Sequence, residues 1–348
     1  MKGISLFSSA GIGEMYIKEL GIDITVANEI DKKRCELYSY FHPESEMING
    51  DIQDVIIKNE LIKKSKKCKF LIATPPCQGF STLGITKKTE NLQTDVRNFL
   101  IFDVLEIIDN NNFDYILIEN VPRFFQLYYP YKGEFKTIEE ILIDKYSKKY
   151  QIKCEIFDAK DFGVPQFRKR SITRIFKKGL KWDECEKENI ITLKESIGHL
   201  PSLESGGKSK IKWHTAKTHN HRDINAMKHT PEGKSALLNK IHYPKKEDGV
   251  RISGFHNTYK RMKWDEPAKA RTTNCGNIGS HNNVHPGRKL KDGTYSDARV
   301  LTLLETFIVS SLPKDLNLPD WTTDSFIRKM IGESIPPLMC KKIISKIF

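Results

Sequence analysis

The first half of the chain alternates between two hydrophobic periods. Short runs dense in Ile, Leu, Val and Phe at 3–7, 23–28, 69–73, 115–119, 152–157 and 171–176 have the continuous apolar character of strands buried on both faces. Between them, 14–20, 32–40, 97–109 and 137–147 carry apolar residues at helical spacing. This alternation predicts a doubly wound, mostly parallel α/β sheet with helices on both faces. After about residue 178 the chain becomes rich in Gly, Asn, His, Lys and Trp and follows neither period for long, which predicts a smaller, irregular domain. Amphipathic helical spacing returns over 299–312 and again over 337–348. Three segments follow: a first domain at 1–178, an insert at 179–298, and C-terminal helices at 299–348 that return to the first domain.

Composition narrows the partner. With 348 residues and 39% hydrophobic content the chain can bury a large core and a smaller one. Its formal net charge is +13, with Lys and Arg spread over the whole length, and this favours a polyanion through phosphate neutralisation. The bland alternative is a Lys-, Ile- and Asn-rich composition inherited from an AT-rich genome. Seven cysteines, an odd number without a CxxC pair, argue against a disulfide framework and a zinc ribbon. A reducing cytoplasm is the expected compartment. The N-terminal apolar stretch is too short for a signal peptide, and no window approaches the ~20 apolar residues of a membrane span. Although His214, His219, His221, His281 and His285 invite a metal reading, Cys185 and Cys275 lack paired ligand spacing, so no metal is expected.

The candidate chemistry lies at predicted strand ends. TPPCQGFS puts Cys77 on a stiff double-proline turn directly after an apolar strand, where a thiol can be exposed and activated. Glu119, Asn120 and Val121 end another strand, and Gln166 to Arg170 (QFRKR) open a third. After the first strand, Phe7 leads through Gly11 and Gly13, glycines placed where backbone must turn tightly against a ligand. Glu29 ends the second strand at the distance where an acid meets ribose hydroxyls, and Asp51 closes the third strand position. Singly, each has an ordinary explanation: a buried thiol, a capping carboxylate, a solvated basic run, a ligand-free turn. Their joint placement at strand carboxyl ends, where open α/β sheets bind ligands, favours a site.

In this order the strings resemble the cytosine-5 DNA methyltransferases of the bacterial restriction-modification type, from end to end of the chain. The resemblance implies the S-adenosylmethionine-dependent methyltransferase fold, S-adenosyl-L-methionine as cofactor and double-stranded DNA as substrate. It implies catalytic roles for Cys77 as nucleophile, Glu119 facing the Watson–Crick edge, Arg170 aimed at the base oxygen and Arg168 organising the pocket beside it. Phe7, Gly11, Gly13, Glu29, Ile30, Asp51, Ile52, Pro76, Leu100 and Ser334 would surround the cofactor. Gln78, Ser81, Arg97, Asn120 and Gln166 would face the flipped base and DNA, with 78–97 as a lid. Within 182–297, Lys and Arg interleave with Trp213, Tyr243, Phe255, Tyr259 and Trp264 as a target-recognition domain. RVLTLLE at 299–305 resembles the ninth family motif and IGESIPP at 331–337 the tenth. Two departures from the family stand out, two extra residues between Phe7 and Gly11 and Glu333 where the family usually has Asn, while Glu14, where a GxGxxG cradle would allow a small residue, sets the stretch apart from a dehydrogenase fingerprint. A monomer with a cognate restriction endonuclease acting on the same site is the implied setting. A transfer-RNA cytosine methyltransferase on this scaffold is the first alternative, disfavoured by the missing Cys-Phe-Thr tripeptide. A non-catalytic DNA-binding protein is the second, disfavoured by intact Cys77, Glu119 and Arg170.

Overall fold

A computed structural model of the chain describes residues 1–76 and 96–347. The apolar runs become strands within two residues of their predicted limits. In chain order the strands are β1 (Lys2–Leu6), β2 (Asp23–Glu29), β3 (Glu46–Asn49), β4 (Phe70–Ala73), β5 (Tyr115–Asn120), β6 (Tyr128–Tyr131), β7 (Glu134–Thr137), β8 (Tyr150–Asp158) and β9 (Lys169–Lys177). Seven form one sheet in the order β3-β2-β1-β4-β5-β9-β8. The first five are parallel, and β9 runs antiparallel to both β5 and β8. Strand order reverses between β1 and β4, so the topological switch point lies at their carboxyl ends.

The middle strands owe their place to burial. All four residues of β4 and all six of β5 are buried, each large aliphatic side chain contributing ~1.5–3 kcal/mol. Helices α1 (Lys32–Phe41), α2 (Val55–Lys64), α3 (Ile101–Asp109) and α4 (Ile138–Tyr146) start at side-chain caps where the sequence supplies them. Asp31 accepts from the Arg34 amide, Asp54 from Ile56 and Ile57, and Thr137 with Glu140 closes a capping box.

Two expectations are corrected. The helix predicted over 14–20 is a pair of 3-10 turns, Ile12–Glu14 and Lys18–Leu20, between left-handed Gly11 and Gly21. So short a segment cannot offset helix nucleation, and Glu14 turns inward instead. The hairpin β6–β7 was not predicted: Lys132 and Gly133, both at positive φ, make its two-residue turn, the type whose twist suits paired strands.

The chain divides into two units, one of 1–158, 169–186 and 340–348, the other of 159–168 and 187–339. This differs from segments at 1–178, 179–298 and 299–348, because 299–339 groups with the insert. In that second unit Leu301, Leu304 and Val309 share a core with Leu193 and Ile197. Its short helices include α5 (Leu193–Ile197), α6 (His221–Lys228), α7 (Leu303–Val309) and α8 (Asp324–Glu333); the unit boundary falls inside α9 (Pro337–Ile344).

A buried charge network holds the second unit. Arg299 donates to Asp297 at 2.9 Å and to both oxygens of Glu305 at 2.7 and 3.0 Å, and Asp297 also accepts from Ser202 and Ser296 at 2.6 Å. The Arg261 guanidinium caps the carbonyls of Met227, His285 and Asp297. Burial, then Arg299, pushes His285 down to about 4, and burial, then Lys217, does the same to His219. Despite its burial, Glu305 is held at about 2 by Arg299. The unfolded chain binds protons on both rings below their ordinary 6.5 while the folded unit does not until about 4, so stability falls with pH across that window. Glu305 adds a further loss as pH falls from its ordinary 4.5 towards 2. We therefore expect calorimetry to show the second unit's melting midpoint dropping between pH 7 and pH 5, and less steeply in His219→Gln; equal slopes would contradict this account.

Candidate active site

The exit of β4 is tied on both sides. The Thr74 amide donates to the Leu6 carbonyl at 3.1 Å and its hydroxyl to that of Phe7 at 2.9 Å, while Asn120 Nδ2 donates to the Pro75 carbonyl at 3.0 Å. Pro75 is buried and Pro76 half-buried. The chain thus reaches Cys77 from a backbone pinned to the ends of β1 and β5. Cys77, Gln78 and Ser81, and most of the segment read as a lid, lie outside the described residues. The other thiols can still be compared. All six described cysteines are free, and burial pushes Cys35 up to about 11, Cys154 up to about 12, and Cys68, Cys185 and Cys340 above their ordinary value. Cys275 is sealed in the interior, its sulfur 4.0 Å from the Arg328 carbonyl. None of these is suited to act as an exposed thiolate.

At the end of β5 the structure brings two predicted residues together. The Arg170 Nε lies 2.6 Å from Glu119 Oε1, with side chains only 12% and 8% exposed. The cause is register: the β5–β9 ladder pairs Glu119 with Ile172 and Asn120 with Ser171, so Arg170 enters β9 just beyond the last rung. A carboxyl and a guanidinium therefore stand as one buried unit beside the route to Cys77, able to serve a heterocycle's ring nitrogen and its neighbouring oxygen. The Asn120 amide is spent on structure, since its Oδ1 accepts from the Val121 amide at 2.8 Å while its Nδ2 holds Pro75.

At the ends of β1 and β2 the loop from Phe7 to Gly13 takes a strained path. Phe7, Ser9 and Gly11 have φ of +56°, +48° and +68°, at about 1–2 kcal/mol for each non-glycine. A Cβ on Gly11 would stand 2.5 Å from the His42 ring and 2.8 Å from that of Tyr38, so only glycine fits. Buried Glu29 accepts from the Ser9 amide at 3.0 Å and from the Ile30 and Asp31 amides at 2.9 Å. Next to it Ile30 is 64% exposed, and Asp51 is exposed with its carboxylate on the Gln53 amide. An acid, an unpartnered aliphatic surface and a second acid thus follow one another along these strand ends. Ile52 and Leu100 are buried in the first unit's core.

The QFRKR string is split by the unit boundary. Gln166 is fully buried in the second unit, its amide donating to the Val309 carbonyl and the Ser310 hydroxyl and accepting from the Arg271 amide. Arg168 caps the carbonyls of Arg271 and Gly332 at 2.9 and 2.8 Å. In this structure Gln166 ties the second unit's backbone together, and Arg168 holds two of its carbonyls. Ser334 ends α8 in that unit, donating to the Met330 carbonyl, and Arg97 is exposed in the turn Val96–Phe99.

In the second unit the aromatics separate into two groups. Trp213 and Trp264 donate their indole N–H to the carbonyls of Leu316 and Gly287 and pack as structure. By contrast, residues 244–252 form a two-stranded ribbon, bridged at Lys245 and Arg251 and turned at Gly249. Arg251 braces its base, donating to the Leu237 and Asn239 carbonyls and lying 4.3 Å from the Tyr243 ring centroid. Ile241 and Phe255 flank it at 76% and 71% exposure. Of the histidines, His214 bonds Thr302 and Pro201, His219 accepts from the Val300 amide, and His285 joins the charge network. Among the described residues no cluster of three metal-ligating side chains occurs and no helix is long and apolar enough to cross a membrane. Sequence reasoning missed Ser5, Tyr38 and His42, which surround Glu14 beneath the Phe7–Gly13 loop; the carboxylate in place of a small residue was the available signal.

Comparison with known proteins points the same way. The family model described as "C-5 cytosine-specific DNA methylase" matches residues 1–348. The Type II methyltransferase M1.HgaI of Avibacterium volantium is 47% identical over 348 residues, covering 99% of this chain and 98% of that protein. M1.HphI of Haemophilus parahaemolyticus, also a Type II methyltransferase, is 27% identical over 344 residues, 98% of this chain and 84% of its own. Among solved structures, DNMT2 of Spodoptera frugiperda superposes with a TM-score of 0.64 at 19% identity, covering all of this chain and 99% of its own, a likeness of fold. With a family match over every residue and a relative 47% identical along almost its whole length, the chain belongs to the C-5 cytosine-specific DNA methylases.

Proposed function

We propose that this chain transfers a methyl group from S-adenosyl-L-methionine to carbon 5 of a cytosine swung out of a specific duplex DNA sequence, as the protective half of a Type II restriction-modification system. The observation that carries the chemistry is the buried Glu119–Arg170 pair at the end of β5, adjoining the strand exit that leads to Cys77. The donor fits what surrounds β1 and β2: a glycine-only approach at Gly11, the Glu29 carboxylate for a ribose, the exposed aliphatic face of Ile30 for a ring, and Asp51 for an amino group. Phe7, Gly13 and Pro76 complete its setting in the first unit; Leu100, Ile52 and Ser334 belong to the same proposal through the family resemblance. When bound, the donor supplies an electrophilic sulfonium methyl.

The residues of the chain do the rest. Cytosine carbon 5 is a weak nucleophile until a group adds to carbon 6. The Cys77 thiolate makes that carbon–sulfur bond, Glu119 meets the charge that builds on the ring nitrogen, and Arg170 holds the base oxygen. Once carbon 5 carries the methyl, loss of its proton lets the carbon–sulfur bond break and returns the thiolate. Gln78, Ser81 and Arg97 are assigned to the strand and the vacated stack, with 78–97 closing over the extruded base at a cost of ~a few kcal/mol in unstacking. The target-recognition role of 179–298 is supported by the braced ribbon 244–252, since a two-stranded ribbon is narrow enough to enter the major groove. Lys245 and Lys246 on it are exposed, suited to phosphates. A soluble cytoplasmic monomer working beside a cognate endonuclease completes the reading.

Cys77→Ser is expected to abolish transfer of a tritiated methyl group while DNA binding persists, and DNA bearing 5-fluorocytosine should become covalently attached to the unaltered protein alone. Turnover surviving in the serine variant would refute the nucleophile. Glu119→Gln should lower kcat by ~10²–10⁴-fold without changing donor affinity measured by calorimetry. Replacing Lys245 and Lys246 by Ala should weaken DNA binding and reduce the salt slope by about one for each phosphate no longer neutralised; an unchanged slope would remove the ribbon from the interface. Bisulfite sequencing of DNA from cells expressing the chain reads out the target itself.

A further inference from the structure

Glu14 is the buried titratable group that the proposed chemistry leaves unused. Its carboxyl receives the Ser5 hydroxyl, from within β1, on one oxygen, and the Tyr38 hydroxyl, from α1, on the other at 2.8 Å. Burial pushes this carboxyl above its ordinary value against the pull of His42 and the two hydroxyls. His42, one residue past α1, lies 4.6 Å from the Tyr38 ring and shares a 2.9 Å hydrogen bond between its Nε2 and the Gly11 carbonyl. Every member of this cluster touches the loop from Phe7 to Gly13 or its two ends: Ser5 precedes it, Glu14 follows it, and Tyr38 and His42 lie against Gly11. The Ser5–Glu14 bond spans nine residues and closes the loop at its root.

Such a closure is what the loop's backbone calls for. Three of its residues sit at positive φ, two of them not glycine, and strained segments of this kind persist only where the surroundings over-determine them. From the open side the loop is held by Glu29 through the Ser9 amide, and Glu29 is also the acid assigned to the donor's ribose. A ligand drawing on Glu29 competes for one of the loop's supports, and the closure beneath, with the bonds of Ser8 to the Asn28 carbonyl and of Thr74 to the Phe7 carbonyl, is left to hold the conformation.

We propose that Glu14 is a positioning residue for the methyl donor, a buried clamp that, with Ser5, Tyr38 and His42, holds the Phe7–Gly13 loop in its donor-binding shape. This rests on the reading of the β1–β2 strand ends as the donor site. The clamp acts through the donor loop, so it governs donor affinity and leaves DNA affinity and the saturated rate alone.

The test measures S-adenosylhomocysteine binding by calorimetry, hydrogen exchange of residues 5–14 in the unliganded protein, and the separate KM values for donor and DNA. Glu14→Ala is expected to weaken S-adenosylhomocysteine tenfold or more, to speed exchange in the loop, and to raise the donor KM while kcat and the DNA KM stay within twofold. Tyr38→Phe, which removes a single hydroxyl, should show the same pattern at about threefold and carries the test should Glu14→Ala fail to fold. Unchanged binding and exchange in the folded variants would overturn the clamp. So would a parallel fall of donor affinity, DNA affinity and melting temperature, which a merely structural cluster would produce. If the unaltered protein binds no S-adenosylhomocysteine, the donor reading falls and takes this inference with it; intact binding in both variants removes the clamp alone.

Discussion

Three hydrogen bonds at the exit of β4 organise the first unit's site. Thr74 is bonded through its amide and hydroxyl to the carbonyls at the end of β1, and Asn120 reaches from the end of β5 to the Pro75 carbonyl. Buried backbone groups left without partners cost as much as a lost hydrogen bond, so a chain leaving the middle of a sheet must find such ties within a residue or two. Here they fix the direction in which the double proline departs. Proline cannot donate, and its ring limits φ, which adds stiffness to the strand exit.

The same economy of side chains recurs at other residues of the motifs. Asn120, Gln166 and Arg168 all use their polar atoms on backbone carbonyls or amides. Their motifs are chemical in appearance, yet each lies where strands end and buried carbonyls need partners. Glu119 and Arg170 differ in that they also pair with each other, although Arg170 donates to the Lys169 carbonyl as well. A buried ion pair is weak evidence for stability and stronger evidence for a poised site, since desolvation takes back much of the Coulombic gain.

The second unit is built on a different principle. With short helices and isolated bridges in place of a sheet, it relies on Arg261 and Arg299 to bond carbonyls and carboxylates that regular structure would otherwise satisfy. RVLTLLE is accordingly an internal organiser: its Arg and Glu form the network and its leucines the core. Helical periodicity alone grouped 299–312 with the first domain, whereas its leucines share a core with Leu193 and Ile197. Amphipathicity says that a face will be buried and does not say by what.

Local pattern determined six strands of the main sheet, the limits of α1 and α4 and the placement of Glu119 and Arg170 at strand ends, because period-two and period-3.6 burial and the turn chemistry of Pro and Gly act over a few residues. Even the anomaly at Glu14 was legible as a carboxylate out of place. Only the tertiary structure decided that Glu119 meets Arg170, that Gln166 and Arg168 serve the second unit, and that Glu14 turns inward to Ser5 and Tyr38. These pairings join positions distant along the chain, set by sheet register and by which buried polar atom lacks a partner, and neither quantity can be read from the spacing of residues in a single sequence.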